Sequence, residues 1–121
     1  FDIEHLATKD QLKKIITKYN WDGLPISSIG NICLLPEYDN RKKKANTIYQ
    51  DESYIKSLQE RNLTIKDIEE KYTFTEKNDL DWLNEEYCAN EYVKFFENYK
   101  RFLTKHFNKM KEKFYEQLDI K

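Results

Sequence analysis

Two short stretches decide how this chain folds: Asp2-Ile3-Glu4-His5 near its start, and Ile29-Gly30-Asn31-Ile32-Cys33-Leu34-Leu35-Pro36 some twenty-five residues later. The first alternates acidic and apolar residues, the period of a half-buried strand. Asp2 and Glu4 then share one face, with Phe1 and Ile3 packing behind. The second is a short apolar run, opened by Gly-Asn and stopped by Pro36, and it predicts a second strand over 29–35. His5 closes the first strand and is one of two histidines in the chain.

Working outward, helical signals fill the rest. Thr8-Lys9-Asp10-Gln11 has the form of a capping box. Leu12, Ile15, Ile16 and Tyr19 follow at helical spacing, so a helix is expected from about residue 9 to 19, with Trp21 tucked behind it. Asp22-Gly23 and Pro25 mark a loop. Asn40 is placed to cap a helix whose first turn carries Arg41, Lys42, Lys43 and Lys44. Cations there oppose the helix macrodipole by about a few tenths of a kcal/mol each, so a chain that keeps them has a use for an anion. Residues 51–61 form a further helix, and Thr64-Ile65-Lys66-Asp67 caps a short one through Tyr72. Neither Gly nor Pro occurs from Asp79 to Leu118, where apolar residues recur with the period of a long amphipathic helix, broken once.

The composition bounds the function. A chain of 121 residues is one domain. Gly and Pro are scarce, aromatics make up 15% and charged residues 36%, a mixture that suits a helix-rich fold whose rings supply the buried area. Net charge is −1, so attraction to nucleic acid has to come from local clusters. Cys33 and Cys88 are too few and too far apart for a disulfide framework or a paired-cysteine zinc site, and a cytoplasmic location with reduced thiols is expected. No apolar run reaches membrane-spanning length, so no membrane partner is expected. The chain begins directly on strand-like sequence, which suggests the C-terminal piece of a longer protein.

Asp2-Ile3-Glu4-His5, then Ile29-Gly30-Asn31-Ile32-Cys33-Leu34-Leu35, then Asn40 and Asn46, resembles the HNH (ββα-metal) endonucleases. It looks most like the HNH domain at the C-terminus of GmrSD-type, modification-dependent restriction and phage-defence proteins. The resemblance covers roughly residues 1–62. It implies an α+β fold, mostly helical, in which a short antiparallel strand pair and a helix form the ββα-metal core. Residues 63–121 are then a helical extension wrapped on that core.

The activity it implies is Mg²⁺-dependent DNA cleavage or nicking, with Mn²⁺ as the alternative ion, in the effector domain of a bacterial defence protein. An N-terminal nucleotide-binding or sensing domain of the same protein is the implied controller. Carried over residue by residue, His5 is the general base, its ordinary titration near neutrality suiting it to deprotonate water. Glu4 is the metal-binding acid beside it, and Asp2 assists directly or through water. The amide of Asn31 braces the loop and the histidine, while Asn40 gives the metal an oxygen. Lys43 meets a backbone phosphate, with Arg41, Lys42 and Lys44 as a wider electrostatic lip.

Two departures accompany this pattern. Glu replaces the commoner Asp before the histidine, and Asn stands where the third letter of the motif has His. Strict alternation also puts Glu4 and His5 on opposite faces, so a kink or bulge near His5 is expected. Taken singly, His5 reads as an ordinary histidine satisfied by a carbonyl, Asn31 as a turn residue and Asn40 as an N-cap; their joint register favours the site. His106 reads as structural or solvated. The competing function is a catalytically silent HNH-like fold that serves as a DNA-binding or protein-interaction module.

Overall fold

The computed structural model describes residues 2–21, 23–26, 28–36 and 46–119. It is an α+β arrangement, mostly helical, around one antiparallel strand pair. Strand β1 (Asp2–His5) runs against β2 (Ile32–Leu35), pairing Asp2 with Leu35, Ile3 with Leu34, Glu4 with Cys33 and His5 with Ile32.

Helix α1 (Lys9–Tyr19) follows β1 directly. Its N-terminus carries the first half of the expected capping box, the Thr8 hydroxyl accepting from the Gln11 N–H at 3.2 Å, while the Gln11 side chain accepts from that hydroxyl and donates to Gln50. Its C-terminus closes on Asn20 in the left-handed conformation, at φ 54°. Asp51 caps α2 (Glu52–Glu60) by accepting from the Tyr54 N–H. Thr64 and Asp67 make both halves of a capping box at α3 (Ile65–Ile68), which continues as a wide π-type turn over Glu69–Thr73. A 3₁₀ helix (Lys77–Asn84) and the 28-residue α4 (Tyr92–Asp119) complete the chain.

The core is aromatic and drawn from both halves of the sequence. Trp82 lies 5.4–5.8 Å from the rings of Phe95, Tyr99 and Phe102 on α4. Trp21 stacks on Tyr19 at 4.7 Å and meets Phe95 at 5.4 Å. Each such ring contributes about 1.5–3 kcal/mol by leaving water. Hydrogen bonds cross the expected boundary at residue 62: the Trp21 indole donates to the Ala89 carbonyl at 2.9 Å, and the Tyr99 hydroxyl to that of Pro25 at 2.6 Å.

Three sequence expectations need correction. Ile3 does not pack inward; it is 56% exposed, and its partner Leu34 is 54% exposed beside it. The covered face carries Glu4, Cys33 and Leu35 instead. The second strand begins at Ile32, because Ile29–Asn31 wind into a 3₁₀ turn that hands the Asn31 side chain to the neighbouring loop. No bulge interrupts the ladder through His5. The chain bends only afterwards, at Leu6–Ala7, so pleating sends the Glu4 and His5 side chains to opposite faces. The long C-terminal helix is broken as expected, over residues 85–91.

Candidate functional site

Asn31 is the centre of the predicted site, and it is completely buried. Its Oδ1 accepts from the Ala7 N–H at 2.8 Å, while its Nδ2 donates to the Ala7 carbonyl at 2.9 Å and to that of Ile26 at 3.1 Å. The Asn31 carbonyl also accepts from the Leu6 N–H at 2.9 Å. One residue thus ties the bend that follows His5 to the start of β2. Such a bend leaves backbone groups out of the ladder, and a buried group left unpaired costs about 1–3 kcal/mol. A buried amide answers a donor and two acceptors at once, which explains Asn rather than Asp or Leu here.

Gly30 is held from the other side. A Cβ placed on it would sit 2.5 Å from the Leu103 carbonyl oxygen of α4, so only glycine lets that helix approach. One turn further along α4, His106 is buried, with Nδ1 at 2.6 Å from the Gly30 carbonyl and Nε2 at 2.5 Å from the Thr73 carbonyl. Its ring stacks flat on Phe102. Burial pushes its pKa below the ordinary histidine value, while the two carbonyls and Asp79 pull it back up. A neutral ring carries one N–H and donates to one of the two carbonyls. The structural reading of His106 therefore has a definite content: it fastens Gly30, and through it Asn31, to α4. The sequence signal is its place four residues after Phe102, on the buried face of the helix.

Of the remaining predicted residues, Glu4 is 2% exposed on the covered face of the sheet. His5 is half-buried at the end of β1. Asp2 opens β1 opposite Leu35, and its side chain lies outside the described residues. Asn40, Arg41, Lys42, Lys43 and Lys44 also lie outside them.

Among the described residues no group of three or more His, Cys, Asp or Glu side chains comes together to hold a metal. A four-ligand zinc site therefore has no counterpart there. No helix among the described residues is long and apolar enough to cross a membrane.

The class that the fold defines is a helix-rich α+β domain on a single strand pair. In comparisons with known proteins, no family profile, no curated protein and no solved structure matches this chain.

Proposed function

We propose that this chain is an HNH-type, metal-dependent DNA endonuclease domain, and that it serves as the effector of a bacterial restriction or phage-defence protein. The observation that carries the reading is the Asn31 clamp. A fully buried amide places all three of its hydrogen bonds on the segments flanking the strand pair, two of them on the residue two positions after His5. That is the bracing role which the resemblance assigns to the middle residue of the motif.

In this reading His5 takes the proton of the attacking water. The oxygen adds to phosphorus as the bond to the 3′ oxygen breaks, leaving a 5′-phosphate and a 3′-hydroxyl. Glu4 and Asn40, with Asp2 assisting, would hold Mg²⁺, which when bound neutralises charge building on the phosphorane and the leaving oxygen. Arg41, Lys42, Lys43 and Lys44 would meet phosphates. An N-terminal sensing domain would supply targeting.

A second reading is favoured by the unbroken ladder, which sends Glu4 and His5 to opposite faces. It is an HNH-like fold without catalysis, used to bind DNA or a protein partner. Plasmid nicking in Mg²⁺, with the wild-type chain and His5→Ala, separates the two. Removing a general base lowers the rate about 10²–10⁴-fold. Equal nicking by the two proteins would refute the base assignment. A wild-type chain that neither nicks nor binds a divalent cation in calorimetry would leave the second reading.

A further inference from the structure

Helix α1 divides cleanly into two faces. Leu12 is buried, and Ile15, Ile16 and Tyr19 pack against the core. The opposite side shows Lys9, Lys13, Lys14 and Lys18, all exposed, with Asp10 as the acid beside them. A shallow concavity lined by Asp10, Lys13, Lys14, Thr17 and Lys18 runs along this face.

Among the described residues, none of these four lysines lies within ion-pair distance of a carboxylate. Four of the six lysines of α4 are different. Lys94 reaches Glu85 and Glu91, Lys105 reaches Asp79, Lys109 reaches Glu112 and Lys113 reaches Glu116. Among the described residues, acids thus pair most of the lysines of α4 and none of those of α1.

Part of this face works against the helix, although Asp10 in the first turn and Lys18 in the last suit its macrodipole. Lys9 stands in the first turn against the macrodipole, and Lys9–Lys13 and Lys14–Lys18 are like-charge pairs one turn apart, each unfavourable by about 0.2–0.5 kcal/mol. We infer that the lysine face of α1 is a docking surface for the phosphate backbone of duplex DNA. The charge calls for a polyanion; the choice of DNA rests on the nuclease reading.

The dimensions fit. Lys9 lies four positions after His5, which keeps their Cα atoms within about 15 Å. From Lys13 to Lys18, the lysines that line the concavity, the helix rises about 7.5 Å, while one strand of a duplex presents a phosphate about every 3.4 Å of axis, so this face spans about two phosphate steps. The lysines take no part in bond breaking. They hold the duplex beside the end of β1, and their loss raises KM more than it lowers kcat.

The test measures binding without divalent cation, so that nothing is cut. Fluorescence anisotropy of a short labelled duplex is followed from about 50 to 200 mM salt for the wild-type chain and the triple variant Lys13→Gln, Lys14→Gln, Lys18→Gln. Circular dichroism verifies that the variant is folded. Each lost phosphate contact lowers the log–log salt slope by about 0.9, so the triple variant loses about 2.7 and binds at least about tenfold more weakly. Unchanged affinity and slope overturn the inference. So does weaker binding to phosphatidylserine vesicles alongside unchanged DNA binding, which would assign the face to a membrane. If the lysines prove necessary for DNA binding while Mg²⁺ yields no nicking, the nuclease reading falls and this surface stands.

Discussion

Replacing Asn31 tests the clamp more sharply than any other single change. In Asn31→Ala the buried Ala7 N–H loses its acceptor, at about 1–3 kcal/mol for an orphaned donor. The Ala7 and Ile26 carbonyls each lose a donated bond, and among the described residues Ile26 keeps a long contact with the Tyr99 hydroxyl at 3.4 Å. The expected loss is about 2–4 kcal/mol. Unfolding entropy is about 2.1 cal/mol/K per residue, so over 121 residues each kcal/mol moves the melting temperature by about 4 °C. The variant should melt roughly 8–16 °C lower.

Asn31→Asp is the more telling partner. It keeps an acceptor for Ala7 N–H, but it sets an oxygen where the amide gave two donors, facing two carbonyls with a buried charge. The folded-state pKa of that carboxyl rises above its unfolded value, so the folded variant binds more protons in the window between them. Its stability is therefore lowest at neutral pH and recovers as pH falls, since the neutral acid donates one bond. Thermal melts followed by circular dichroism at neutral and mildly acidic pH read both effects. An Asn31→Asp protein as stable as the wild type at neutral pH would refute the donor geometry.

Two further perturbations probe the contact between α4 and the site. Gly30→Ala forces a methyl group to 2.5 Å from a helix carbonyl that cannot swing aside, and overpacking of this kind costs about 1–3 kcal/mol; an unchanged melting temperature would show that α4 yields. His106 sits below its ordinary pKa of 6.5 because it is buried, so the unfolded chain takes up a proton that the folded one resists. The stability that the neutral ring provides is present above about pH 6.5 and lost as pH falls below it. His106→Gln should flatten that part of the pH–stability curve, and identical slopes in denaturant titrations would remove His106 as its source.

Local signals in the sequence were reliable because each rests on a few neighbouring atoms. The Thr8 cap and the Thr64–Asp67 box both follow from side chains reaching one turn along the backbone. What covers a face is set by distant parts of the chain, and periodicity does not reveal it. Alternation in β1 shows two unlike faces without saying which is inside, and the apolar one turned out to be solvent-facing. The partners of His106 lie 76 and 33 residues away, so its role was invisible in the sequence around it. The α1 lysines stood in plain view, hidden by a net charge of −1 that averages them against acids elsewhere.

The strand pair holds the sharpest conflict between levels. A carboxylate at 2% exposure lies under the sheet while an isoleucine and a leucine, each more than half exposed, lie on top. Turning β1 over would bury Ile3, but it would also give up the interactions that the Glu4 carboxylate makes on the covered face. The ladder that prevents this is fixed by Asn31, which pins the bend after His5 and so sets the register and facing of the strand. The clamp therefore holds Glu4 on the covered face and His5 on the other, and the nicking assay with His5→Ala decides between the two readings of that arrangement.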